Sequence, residues 1–215
     1  MGFKEQGGES EKGLIEAVNE QAGELIHLLR CSRAPDSVLA EATAHLQAAM
    51  SSLAPYLEQG EGWSVASIAS DTPGLGWLEN DLTHCMPYSP VSGRRNPVAP
   101  SIRMWRDGGE VRGEALFSAT YAGPPNSVHG GVIAAVFDEL LSMANVISGA
   151  AGFTGTLTVK YHRHTPLQQP IELWAVNDRN TGRKQFSRAE MRVDGEVTAS
   201  AEGLFILPAS ASDEP

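Results

Sequence analysis

Two adjacent glycines and an acid seven residues further on, Gly130-Gly131 and Asp138, are equipped to act together on a carbonyl group. Residues 130 to 148 read as a helix, and the glycines stand in its first turn. The first amide hydrogens of a helix have no intrahelical acceptor, and the helix dipole places partial positive charge around them. Glycine carries no Cβ, so another molecule can come close to that backbone. Such an end can hold a carbonyl oxygen as it gathers negative charge, and one donor of this kind is worth roughly 3–4 kcal/mol of barrier. Asp138 lies about two turns beyond Gly131, which puts its carboxylate on the same face as the amides. The approach to the helix, Pro124-Pro125-Asn126-Ser127-Val128-His129, is a tight turn-forming stretch.

The remainder of the helix makes its acids conspicuous. Val132, Ile133, Ala134, Ala135, Val136, Phe137, Leu140, Leu141 and Met143 leave it apolar nearly all round. A helix with no polar face is expected to be buried. Its charges are Asp138 and Glu139, and burying an unpaired carboxylate is costly. Either the acids occupy a narrow exposed or interface stripe, or one of them is kept for function. Helix geometry alone leaves both readings open.

The elements that must hold this helix are strands. Asp107-Gly108-Gly109 is a turn between two β-like runs, the second alternating Val111, Gly113, Ala115 and Phe117 against Arg112, Glu114 and Ser118. After the helix, Leu157, Val159 and Tyr161 alternate with Thr156, Thr158, Lys160 and His162. Pro166 and Pro170 bound the next turn. A strand from Ile171 to Asp178 ends at Thr181-Gly182, and Asp194-Gly195 joins Ala189, Met191 and Val193 to a run holding Val197, Ala199, Ala201 and Phe205. Strand, strand, helix and four more strands on tight turns predict an α+β domain over residues 97–208. Its sheet is antiparallel, with the one long helix across its face.

Residues 1–60 read as a helical extension. Leu14, Val18, Ala22, Leu25 and Leu29 recur at helical spacing, Arg33-Ala34-Pro35 breaks the pattern, and Asp36 or Ser37 can cap a second helix with Val38, Ala42, Leu46, Ala49, Met50 and Leu53 on one stripe. His27 and His45 on these helices read as surface or packing residues. Residues 61–96 form an irregular connecting segment with one short strand expected near Trp77. A connection this long is often functional. Gly74-Leu75-Gly76 lacks the strand, third glycine and helix of a dinucleotide site. Residues 209–215 are expected to be a disordered tail.

Composition bounds the partners. The 215 residues suit one domain plus an extension, and 41% hydrophobic residues are enough for a core. A net charge of -10 argues against nucleic acid and against an anionic membrane surface. Cys31 and Cys85 fit neither a disulfide framework nor a zinc site. His162 and His164 share a side of a strand but have no third ligand near them in sequence, so no metal is expected. The N-terminus has no apolar leader, and no apolar run approaches the roughly 20 residues of a membrane span. A cytoplasmic protein is expected.

Pro125-Asn126, His129-Gly130-Gly131 and Phe137-Asp138 together resemble the hotdog-fold acyl-CoA thioesterase superfamily, in the branch of the phenylacetate-pathway and mitochondrial-type enzymes. The spacing from His129 to the acid is that family's. Further likeness runs from Thr154 to Tyr161 and through Gly182-Arg183-Lys184, covering residues 97–208. The resemblance implies a hotdog fold, a sheet wrapped around a central helix, in a homodimer or dimer of dimers joined sheet edge to sheet edge. It implies hydrolysis of an acyl-CoA to free acid and CoA at sites on the dimer interface. In that scheme the Gly131 amide, beside Gly130, polarises the thioester carbonyl. Asp138, usually from the other subunit, activates water or attacks directly. Thr154 matches a hydroxyl that holds the water or the acid, and Ser142 matches one used in another branch. Asn126 supports the loop or the water, unless it serves the turn alone, and His129 shapes the loop. A further branch uses glutamate as its acid, but Glu139 is expected at the surface or an interface.

No resident cofactor or metal is implied, because coenzyme A is part of the substrate. Its phosphates need a basic patch. Between residues 156 and 193 seven basic side chains stand against three acidic ones. Arg183 and Lys184 in a turn, and Arg163 with His164 at a strand end, are the candidates for the phosphates. Plain solvated charge is the alternative for each. Two rival functions remain: hydration or dehydration of an acyl thioester on the same fold, and a non-catalytic module that binds acyl-CoA or an aromatic ligand. The acyl group itself is not specified by the sequence.

Overall fold

The computed structural model describes residues 13–57, 82–83, 85–149 and 152–208. In chain order the elements are α1 (Leu14–Cys31), α2 (Asp36–Leu53), β1 (Ser101–Asp107), β2 (Glu110–Leu116), α3 (Gly130–Ile147), β3 (Phe153–Tyr161), β4 (Ile171–Thr181), β5 (Lys184–Val193) and β6 (Glu196–Ile206). The six strands make one antiparallel sheet in the order β1-β2-β4-β5-β6-β3. The tight turns dictate most of this order. Between β5 and β6, Asp194 and Gly195 both adopt positive φ, 52° and 77°. That is the two-residue hairpin geometry that Asp-Gly favours. β4 runs on to Thr181 instead of stopping at Asp178. Asn177 pairs Ser187 and Arg179 pairs Phe186, so Asp178 is an extra residue that shifts the register without ending the strand.

α3 lies on the sheet. Ile133, Val136, Phe137, Leu140, Leu141, Met143 and Ala144 are buried against Val111, Ala115, Leu173, Ala175, Ala189, Met191, Ala201 and Phe205. Fully buried aromatic side chains such as Phe137 and Phe205 each hold about 3–5 kcal/mol against truncation to alanine. Gly203 sets how close the helix comes. A Cβ there would stand 2.6 Å from the Phe205 ring and 3.0 Å from Leu141.

Of the two readings left open for the acids of α3, the narrow exposed stripe is what the single chain shows for Asp138. Gly131 and Ala135 are exposed, and Asp138 and Ser142 are half-buried, along one continuous stripe. The sheet covers one side of the helix, and residues 82–83 and 85–99 cover another. In the single chain the third side stays open. The covering segment is ordered by its own turns: Ser89 N–H donates to Met86 O at 3.0 Å, Gly93 N–H to Ser89 O at 3.0 Å and Arg95 N–H to Pro87 O at 2.8 Å. Leu82, Cys85 and Met86 join the core. The strand expected near Trp77 lies outside the described residues.

α1 packs on a single 3-10 turn at Ala119–Tyr121 and brings Gly23 against Pro97. Neither α1 nor α2 has a buried residue, and Leu14, Val18, Leu29, Val38, Met50 and Leu53 are exposed. The cap expected at Asp36 or Ser37 is not formed. Pro35, at ψ 159°, is the residue outside the helix and Asp36 is already its first member. His27 faces Cys31 and His45 faces Glu41, each one turn away on its exposed helix.

Candidate functional site

The approach to α3 is a hydrogen-bonded clasp. Asn126 sits at φ 56°, the left-handed conformation that asparagine tolerates. Its carbonyl accepts from Leu167 N–H at 3.2 Å, and Val128 N–H donates to Thr165 O at 2.8 Å. Asn126 thus serves the turn through its backbone. His129 is the N-cap. Its N–H donates to Tyr121 O at 2.9 Å, its carbonyl accepts from Val132 and Ile133, and its Nδ1 accepts from Gly131 N–H at 3.0 Å. The Gly131 amide therefore points where an acceptor can reach it, and the acceptor there is an imidazole. Gly130, Gly131, Ile133, Tyr161, Arg163 and His164 line an open cleft of about 550 Å³ at this end of the helix. A second hollow of about 370 Å³ is rimmed by Glu114, Glu172 and Asp194, whose charge repels phosphate.

Asp138 lies on the open stripe, and Thr154 Oγ1 donates to its Oδ1 at 2.8 Å. A bulge makes this contact possible. Thr154 pairs Phe205 while Thr156 pairs Leu204, so Gly155 is an extra residue in β3. Directly paired residues share a sheet face. Leu157, Val159 and Tyr161 pair Gly203, Ala201 and Ala199, and Thr154 pairs the fully buried Phe205. Strict alternation would send Thr154 to the other face. The extra residue returns it to the side of the helix.

The single chain does not leave the Glu139 carboxylate on its surface, where the sequence places it. Its largely buried carboxylate accepts from the hydroxyls of Ser89 and Ser92, anchoring the 85–99 stretch to α3. Burial raises its pKa above the ordinary 4.5. The two serine hydrogen bonds oppose that rise, and the charge of Asp138 adds to it. The folded protein thus binds this proton more tightly than the unfolded chain does. The resulting stability is full below about 4.5 and is lost as pH rises through the raised folded value. Glu139→Gln is expected to flatten that dependence. Thermal melts should show the variant unfolding about 2–4 °C above the wild type at pH 8 and level with it at pH 4, on the scale of about 1 kcal/mol. A wild-type advantage at pH 8 would contradict this assignment. Tyr121 is also perturbed: burial pushes its phenol up to about 12, and its hydroxyl donates to Val98 O at 3.1 Å.

The basic candidates fall in two places. Arg163 and His164 line the cleft, Arg163 bonded to Glu196 at 2.7 Å and His164 Nδ1 3.1 Å from Ser127 Oγ. Arg183 and Lys184 follow the turn after β4, two strands across from Phe153, with Arg183 Nε donating to Leu207 O at 2.8 Å. The single chain does not bring the two pairs together. His162 and His164 hold different partners, since His162 Nε2 is 2.8 Å from Ser200 Oγ. Tyr161 is the site residue whose role sequence reasoning missed. Alternation placed it on the helix side of β3, but nothing in the sequence signals that its hydroxyl donates to Gly130 O at 2.8 Å.

No family model matches the chain. Among solved structures, a thioesterase superfamily protein is 29% identical at a TM-score of 0.76, over 89% of this chain and 90% of that one. Zebrafish thioesterase superfamily member 2 is 18% identical at a TM-score of 0.53, over 64% of this chain and 100% of that one. A phenylacetic acid degradation-related protein from Ralstonia eutropha is 18% identical at a TM-score of 0.45, over 48% of this chain and 83% of that one. The first of these likenesses covers far more than residues 97–208, so it takes in part of the N-terminal extension as well. The chain has the hotdog fold, and the solved structures it resembles are thioesterase superfamily proteins.

Proposed function

We propose that the chain hydrolyses acyl-CoA thioesters to free acid and CoA, in sites that two copies of it build together. The observation that carries this reading is the open stripe of α3. A glycine amide that leads into a cleft and an acid steadied by a threonine hydroxyl stand on one uncovered helix face. In this scheme the thioester oxygen takes the Gly131 N–H in place of the His129 imidazole. Asp138 removes a proton from water, which adds to the carbonyl carbon, or adds to it directly. The tetrahedral intermediate then expels the CoA thiolate, and in the direct route water later cleaves the resulting anhydride.

The spacing along α3 favours a site shared with a second copy, as the resemblance implies. Seven residues at 1.5 Å each separate Gly131 from Asp138 by about 10 Å along the axis. A donor must sit about 3 Å from the oxyanion, and reacting atoms must approach to about 3–3.5 Å. Direct addition of Asp138 to a carbonyl held by the Gly131 amide of the same chain is a long reach, which favours the amide of one copy working with the acid of another. β3 offers the docking edge: it ends the sheet, and Phe153 and Tyr161 on it are 75% and 54% exposed. Arg163 is free to turn to a phosphate, because its partner Glu196 is exposed and such surface pairs hold only about 0–1 kcal/mol.

Purified protein offered short, long and aromatic acyl-CoAs is expected to release free thiol, with turnover on the order of 1 s⁻¹ or faster on its best substrate. One feature favours a second reading. His129 already occupies the Gly131 amide, as it would in a module that binds acyl-CoA without turnover. Saturable binding of CoA esters with no thiol release would establish that module and overturn the hydrolase.

A further inference from the structure

We infer that Tyr161 is a positioning residue for the Gly131 amide, tethering the one peptide group that the hydrolase reading above asks to act as oxyanion donor. The Gly130 carbonyl and the Gly131 N–H are two ends of a single peptide plane. Tyr161 Oη donates to the carbonyl at 2.8 Å, and the N–H donates to His129 Nδ1 at 3.0 Å. A peptide group is rigid, so fixing the direction of its C=O fixes the direction of its N–H. This plane needs fixing more than most, because it joins two glycines, the residues with the widest backbone freedom.

The contact is built for the purpose. A Cβ on Gly130 would stand 3.5 Å from both Cζ and Oη of Tyr161, so the phenol rests against the bare α-carbon. Tyr161 arrives from the last position of β3, on the helix side of the sheet, and it lines the same cleft as both glycines. A hydrogen bond accepted at the carbonyl also polarises the amide and strengthens its N–H as a donor. When a substrate oxygen replaces the His129 imidazole, one of the plane's two side-chain bonds is exchanged. The Tyr161 bond remains and keeps the donor aimed during the exchange.

Tyr161→Phe keeps the ring and removes only the hydroxyl. With the melting temperature checked for an intact fold, kcat for thiol release is expected to fall about tenfold while KM stays within about twofold, equally for short and long acyl groups. A residue that merely packs against the loop would not give this split. The Gly131 amide proton supplies a readout independent of turnover: in the variant its NMR resonance should move upfield and its hydrogen exchange should quicken. An unmoved Gly131 resonance together with unchanged kcat would overturn the inference. If the wild type releases no thiol, the hydrolase reading fails on its own. The amide resonance then decides the tether alone, a shift upholding it and no shift ending it.

Discussion

Asp138→Asn is expected to lower kcat about 10³-fold while leaving the fold and the affinity for a non-hydrolysable CoA thioether unchanged. Asparagine has the shape of aspartate, and its amide oxygen can still accept from Thr154 Oγ1. It cannot take a proton from water or add to a carbonyl as a carboxylate does. General bases alone supply about 10²–10⁴-fold, and loss of a nucleophile costs at least as much. The half-buried position makes the folding cost small. The neighbouring acid is the internal control. Glu139 faces Ser89 and Ser92, away from the open stripe, so Glu139→Gln should keep kcat within about threefold of wild type. Thiol release and thioether binding measured on both variants settle the matter. Wild-type turnover in Asp138→Asn, or abolition in Glu139→Gln instead, would assign the acid wrongly.

Asp138 faces the open stripe and Glu139 does not, and the difference lies in the kind of contact each makes. The order of strands and helices followed from local signals: turn residues at Asp107-Gly108-Gly109 and Asp194-Gly195, and apolar periodicity between them. Adjacent helix residues point about 100° apart, and a sequence does not say what either direction meets. Glu139 meets two serines some fifty residues earlier, in a stretch with no period to read. Thr154 shows the converse. Alternation through Leu157, Val159 and Tyr161 would turn it away from α3, and only the extra residue at Gly155 turns it back. A glycine inside a strand permits such a bulge, but it does not announce one. For that reason Thr154 entered the reading by resemblance rather than by spacing. The apolarity of α3 marks the sides that the sheet and the 85–99 stretch bury. It does not mark the stripe that the single chain leaves open at Gly131 and Ala135.

That bare stripe leads to the second large effect, which concerns two chains at once. Gly131→Pro removes the amide hydrogen, and the first turn of a helix is where proline is tolerated. Its ring would displace the His129 imidazole, since a Cβ there already stands 3.1 Å from Nδ1. Alone, this variant should lose at least about 10²-fold in kcat, the usual cost of an oxyanion donor. Asp138→Asn alone is inactive for a different reason. If each site takes its amide from one chain and its acid from the other, a mixed dimer of the two variants holds one site with both groups and one with neither. Differently tagged chains, co-expressed and purified through both tags, are therefore expected to recover about half of wild-type kcat per dimer, because a two-fold dimer has two equivalent sites. A site complete within one chain makes the opposite forecast. Every chain in the mixture then lacks a group, and thiol release stays at the level of the parents. The roughly 10 Å between Gly131 and Asp138 along one helix favours the shared site. Mixed dimers as inactive as their parents would show that the acid and the amide do not work across two subunits.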